Sequence, residues 1–129
     1  MHFDRILMID DEPIINAIQT ASVKAHFPDN EIVKITSPIE ALKYIKELNA
    51  AGEKLLIFLD LNMPVLSAKD VLDELDKIDF EEPPVIFILT FSQDPAEREE
   101  VAQHEYVKAL LMKPINKEKI NEITGLLDN

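Results

Sequence analysis

The sequence predicts an α/β fold, a doubly wound parallel sheet of five strands with helices on both faces. Three observations predict it: five short apolar runs, segments of helical period between them, and runs that read as continuously buried strand. A parallel strand pair needs a crossover element, and a sheet covered on both sides leaves its strands apolar throughout.

The first run, Arg5 to Ile9, ends at Asp10-Asp11-Glu12. After Pro13, residues Ile14, Ile18, Ala21 and Ala25 share one helical face, which the pattern turns inward. The second run, Glu31 to Thr36, leads into Ser37-Pro38-Ile39-Glu40, a capping-box start with proline at the first helical position. The third, Leu55 to Leu59, stops at the single carboxylate of Asp60, with Asn62 and Pro64 just beyond. Val71, Leu72, Leu75 and Ile78 then mark the inward face of a third helix. The fourth, Val85 to Thr90, precedes Asp94-Pro95-Ala96-Glu97, a second capping-box pattern, and the polar helix "AEREEVAQHEYV". The fifth, Ala109 to Met112, is followed by Lys113-Pro114 and a last helix from about Asn116, with Ile120, Ile123 and Leu127 inward. Phe3, Phe58 and Phe87 read as core, Met63 as packing, and Tyr44 and Tyr106 as helix-edge residues.

A chain of 129 residues suits one domain, 1–129; it shows no repeat or linker, and no separate output domain is expected. Thirteen basic against 25 acidic residues leave a formal charge of -12, which repels a phosphate backbone and argues against direct nucleic-acid binding. The longest apolar runs are far too short for membrane insertion. There is no cysteine, so thiol catalysis, disulfides and thiolate metal sites are excluded, and the amino terminus lacks the pattern of a signal peptide. A cytoplasmic location is expected. His2, His26 and His104 are scattered without ligand spacing and read as surface or satisfied histidines.

In doubly wound sheets ligands bind at the carboxyl ends of the strands. Asp10, Asp11 and Glu12 stand at the end of the first strand, Asp60 at the third, Thr90 at the fourth and Lys113 at the fifth. Singly, each has an ordinary explanation as a cap, a turn residue or a solvated lysine. Together they form an acid cluster with one hydroxyl and one ammonium, and such carboxylates repel one another unless a cation neutralises them. Magnesium suits the set, because it accepts few carboxylates together with waters and a phosphoryl oxygen.

These residues resemble the receiver domain of two-component response regulators, over essentially the whole chain. "LMIDDEP" is similar to its acidic pair, "FLDLNMP" to its phosphoacceptor turn, "ILTFS" to its switch threonine and "LLMKPI" to its lysine-proline loop. The resemblance implies the flavodoxin-like receiver fold, a cis peptide before Pro114 and a phosphorylation-dependent signalling switch rather than an enzyme in the usual sense. It implies that Asp60 takes a phosphoryl group from the phosphohistidine of a sensor histidine kinase or a histidine phosphotransfer protein. Asp11, Asp60 and the Asn62 carbonyl would hold Mg2+, with Asp10 assisting through water; Lys113 would pair with the phosphoryl oxygens and Thr90 hydrogen-bond to them. An unidentified downstream protein would read the change.

The chain departs from the family pattern at Leu110, where an aromatic switch residue is usual, at Tyr106 and Val107, where Gly-Ala is common, and at Ala68. The sequence therefore predicts a readout without the customary aromatic rotation, Tyr106 taking part of that role. Phe91, where a small residue is expected after the threonine, is predicted to roof the site. Two other classes are weighed: an aspartate-nucleophile phosphatase of the haloacid dehalogenase type, which wants an aspartate where Asn62 stands, and a receiver-like binding module without phosphotransfer.

Overall fold

The computed structural model describes residues 2–127. In chain order its elements are β1 (Arg5–Ile9), α1 (Pro13–His26), β2 (Ile32–Ile35), α2 (Pro38–Ala50), β3 (Leu55–Asp60), α3 (Ala68–Leu75), β4 (Val85–Thr90), α4 (Pro95–Ala102), β5 (Val107–Met112) and α5 (Lys117–Leu127). The five strands pair in parallel in the order β2-β1-β3-β4-β5. This is the doubly wound sheet that the sequence predicts.

Alternation along each strand divides the apolar interior between the two faces. Leu7, Ile9, Leu55, Ile57, Leu59, Ile86 and Ile88 pack with residues of α2, α3 and α4. Ile6, Met8, Leu56, Phe58, Phe87 and Leu89 face Val23 of α1 and Ile120, Ile123 and Leu127 of α5. Phe58 and Phe87 stack across β3 and β4 with ring centroids 5.6 Å apart. Each fully buried Leu, Ile or Phe contributes roughly 1.5–3 kcal/mol, so the two layers supply most of the driving force for closing the sheet.

The third and fifth helices bury the faces read from the sequence, Val71, Leu72 and Leu75 in α3 and Ile120, Ile123 and Leu127 in α5, except that α3 ends at Leu75 and Ile78, expected on its face, lies half-buried in the turn beyond. The first helix does not. Ile14 is 76% and Ile18 53% exposed, Ala21 and Ala25 also face solvent, and the buried residues are Asn16, Gln19 and Val23. The reason lies at the strand ends. Asn16 Nδ2 donates to the Met8 carbonyl at 3.0 Å and, more loosely, to those of Asp10 and Ile35 at 3.4 Å. The Ile35 carbonyl also accepts from Asp10 N–H at 3.1 Å, so the Asn16 amide adds a second donor at these strand ends, and such added hydrogen bonds, worth about 1 kcal/mol each, favour the amide face inward and the isoleucines out.

Helix starts also differ in detail. Ser37 and Asp94 cap α2 and α4 through one side-chain bond each, to the backbone N–H groups of Glu40 and Ala96. The reciprocal capping box occurs instead at α3, between Ser67 and Asp70. The polar segment expected as one helix ends at Ala102, because residues 103–106 turn and β5 begins at Val107, two residues before the expected start. A register shift beside Ile86 and Phe87 accommodates the extra strand length.

Candidate functional site

Four strands deliver the site. Asp10 follows β1, Asp60 is the last residue of β3, Thr90 the last of β4, and Lys113 follows β5. Asp60 and Leu89 are register partners, as are Thr90 and Met112, so parallel pairing brings these ends to one edge. Backbone bonds extend the match past the strands, with Leu61 N–H donating to the Leu89 carbonyl and Lys113 N–H to that of Thr90, both at 2.9 Å. The Lys113–Pro114 peptide is cis.

Asp10, Asp60, Thr90 and Lys113 are all buried. The Lys113 ammonium lies 2.7 Å from Asp10 Oδ2 and 3.2 Å from Asp60 Oδ1, bridging two strand ends. Asp10 Oδ1 accepts from Glu12 N–H at 3.0 Å and Asp60 Oδ1 from Asn62 N–H at 3.3 Å, which orients both carboxylates. Asp11 is half-buried and Glu12 exposed; one carboxylate oxygen from each of Asp10, Asp11 and Glu12 lies within 4.8 Å of the others. The Thr90 hydroxyl accepts from Ser92 N–H at 2.8 Å, leaving its own proton to donate.

The electrostatics follow from burial and charge count. Burial first, and then the Asp10 carboxylate, push the Asp60 carboxyl from its usual 3.8 up to about 7, while Lys113 opposes this without cancelling it. For Lys113, burial works against the ammonium, but its contacts with Asp10 and Asp60 win and raise its pKa. The cluster is thus short of positive charge. Its hard carboxylate oxygens, buried in Asp10 and Asp60 and half-buried in Asp11, fit a small divalent cation such as Mg2+.

Asp10, Asp11, Asp60, Asn62, Thr90 and Lys113 are therefore drawn to one edge of the sheet. The three histidines are drawn elsewhere: His2 Nε2 lies 3.4 Å from Asp4 Oδ1, His104 Nε2 meets Asp76 Oδ1 at 2.8 Å and His26 meets Asn121. Tyr106 is not at the site, contrary to the part assigned to it. Its carbonyl accepts from Ile86 N–H near the start of β4, and its ring packs edge-on against Phe80 at 5.7 Å. The six residues of β5 between it and Lys113 span about 20 Å, too far for a ring to follow Thr90. Leu110 is half-buried against the α2–α4 layer and has no ring to rotate.

Sequence reasoning missed the amides beneath the acids. Gln19, fully buried, reaches Asp10 Oδ2 at 3.4 Å through Nε2, while its Oε1 receives Ile115 N–H at 3.5 Å, linking the acid pocket to the loop after Pro114. Two amides three positions apart in the helix directly after Asp10-Asp11-Glu12 were the available signal.

The carboxylates of Asp10 and Asp60, bridged by the Lys113 ammonium, thus stand at the carboxyl edge of a five-stranded doubly wound sheet, the edge at which such folds bind ligands. The family described as the response regulator receiver domain matches residues 6–124, and the chain belongs to it. Among solved structures, it is similar to a two-component response regulator from Cytophaga hutchinsonii, with 27% identity, TM-score 0.82 and full coverage of both chains. The signal receiver domain of a response regulator from Bermanella marisrubri shares the fold, with 23% identity, TM-score 0.78 and coverage of 99% of this chain and 100% of that one. A CheY-like receiver domain from Methanospirillum hungatei JF-1 does so at 18% identity, TM-score 0.69 and coverage of 95% and 92%. No curated protein is similar enough in sequence to count as a relative. Receiver domains are signalling modules, and among the described residues no helix is long and apolar enough to cross a membrane.

Proposed function

We propose that this receiver domain is a phosphorylation-dependent switch that takes a phosphoryl group onto Asp60 from a phosphohistidine, borne by a sensor histidine kinase or a histidine phosphotransfer protein. The observation that carries the reading is the Lys113 ammonium held between Asp10 and Asp60 at 2.7 and 3.2 Å, in a family member. An Asp60 carboxylate oxygen would attack phosphorus as the P–N bond breaks, its electron pair leaving with the imidazole. Lys113 would neutralise an equatorial phosphoryl oxygen in the in-line transition state, and the Thr90 proton would reach another.

Asp11, Asp60 and the Asn62 carbonyl would hold Mg2+, which supplies further charge neutralisation at the phosphoryl oxygens. Both Asp10 oxygens already accept protein hydrogen bonds, which favours a part for Asp10 through water. Phosphorylation would then shift an equilibrium in the loop after Thr90 and in α4, to be read by a separate downstream protein. A cytoplasmic setting accords with this chemistry. The alternative of an aspartate-nucleophile phosphatase gains nothing, because position 62 carries an amide where that chemistry needs an acid.

Intact-mass measurement after incubation with Mg2+ and acetyl phosphate tests the proposal. One phosphoryl adduct is expected on the native protein and none on Asp60→Ala. Equal labelling of Asp60→Ala overturns the assignment.

A further inference from the structure

Phe91 is 54% exposed, yet its ring is not idle on the surface: the Lys113 ammonium lies 5.1 Å from the ring centroid. Lys113 itself is almost wholly covered, its side chain 1% exposed. An ammonium has three hydrogens, and two directions are taken by Asp10 and Asp60. The remaining side faces the aromatic ring, at a distance suited to a cation–π contact. One face of the ring thus closes the ammonium off from solvent and the other stays wet, which explains a large apolar side chain exposed to this degree.

The backbone that carries the ring is tied down. Ser92 N–H donates to Thr90 Oγ1 at 2.8 Å, Ser92 Oγ donates to Glu97, and Ser92 Oγ accepts from Asp94 N–H at 3.1 Å. Displacing the ring therefore calls for rotation of its own side chain against the cation–π contact, not for drift of the loop.

We propose that Phe91 is a roof over the phosphoacceptor site that hinders small phosphodonors on the way in and water on the way to hydrolysis. This rests on Asp60 being the phosphoacceptor. With acetyl phosphate, the Asp60 oxygen bonds to phosphorus while the bridging P–O bond breaks and acetate leaves with the electron pair. In hydrolysis, a water oxygen bonds to the same phosphorus, the Asp60–phosphorus bond breaks, and orthophosphate departs, leaving the carboxylate and a released proton. Both reactions need an in-line approach to the phosphorus from the solvent side, so a ring beside Lys113 obstructs both while leaving the charges that stabilise the transition state unchanged.

The test compares native protein, Phe91→Ala and Phe91→Leu. Phe91→Ala should raise both the labelling rate with acetyl phosphate and the dephosphorylation rate about tenfold, equivalent to about 1.4 kcal/mol. Phe91→Leu, which keeps bulk but loses the ring, should stay much nearer the native rates, and Mg2+ affinity should be the same in all three. In metal-free protein, NMR should show the Lys113 ε-methylene protons shifted upfield by the ring in the native chain and returned to ordinary positions in both variants. Phe91→Ala rates within twofold of native, or unshifted Lys113 protons in the native protein, overturn the roof. If no protein, native or variant, acquires phosphate on Asp60, the phosphoacceptor reading fails instead, and the NMR arm still decides whether the ring covers the ammonium.

Discussion

Replacing Asp60 by asparagine is expected to stabilise the metal-free protein, and to do so more as the pH rises. Asp10 and Asp60 share one ammonium, and the Asp60 carboxyl is held at about 7 instead of 3.8. A carboxyl raised by folding works against the fold: the unfolded chain releases its proton above about pH 4 while the native state keeps it until about pH 7, so stability declines across that window and levels off above it. At about 1.4 kcal/mol for each tenfold, the decline amounts to roughly 4 kcal/mol. Solvent reaching the site beside half-buried Asp11 screens part of this, and asparagine sacrifices the charge in the 3.2 Å contact with Lys113, so a gain of about 1–3 kcal/mol is expected at alkaline pH. For a domain of this size that is a rise of roughly 4–12 °C in Tm. The assay is thermal unfolding by circular dichroism in EDTA, native against Asp60→Asn, at about pH 5 and about pH 8, on either side of most of the window. The gap in Tm should be small at the lower pH and widen at the higher. A gap independent of pH, or a variant that melts below the native protein at about pH 8, would refute the account of Asp60 as a buried, undercompensated charge.

Asp11→Ala should weaken Mg2+ binding at least tenfold by titration calorimetry, since a hard cation loses one of few fixed oxygens; unchanged affinity would remove Asp11 from the ligand set. Asn16→Ala should cost about 1–3 kcal/mol in urea unfolding, because the Met8 carbonyl loses its 3.0 Å donor inside the protein, and a cost below the error of the extrapolation would assign those carbonyls to water instead. Beryllofluoride with Mg2+ should alter amide exchange between Phe91 and Ala102 while leaving the Tyr106–Phe80 contact intact, as judged by Tyr106 ring signals; a response at Tyr106 and none in α4 would contradict the separation of that ring from the site.

Much of the fold was legible because its signals are local. Continuous apolar runs bounded by turn residues mark buried parallel strands wherever they occur, and β3, Leu55–Asp60, is buried at all six positions. Proline after a small or acidic residue marked the starts of α2 and α4. The site residues stand out for a related reason: a carboxylate, hydroxyl or ammonium placed where an apolar run stops has no role in the core, so Asp10, Asp60, Thr90 and Lys113 are conspicuous in the sequence alone.

What only the tertiary structure decided were matters of competition between distant groups. Ile14, Ile18, Ala21 and Ala25 form an amphipathic face, yet α1 turns it to solvent and sets the Asn16 amide against the carbonyls at the ends of β1 and β2. Those carbonyls lie up to nineteen positions away and leave no periodic trace. Likewise Tyr106 is near Lys113 in the sequence but is carried to the opposite edge of the sheet by the length of β5, whereas Phe91, twenty-two positions from Lys113 (113 − 91), rests against it. Apolar periodicity reports what a segment would bury if any surface were available. Which surface is available is set by the buried polar groups of other segments, whose partners must be found at close range or not at all.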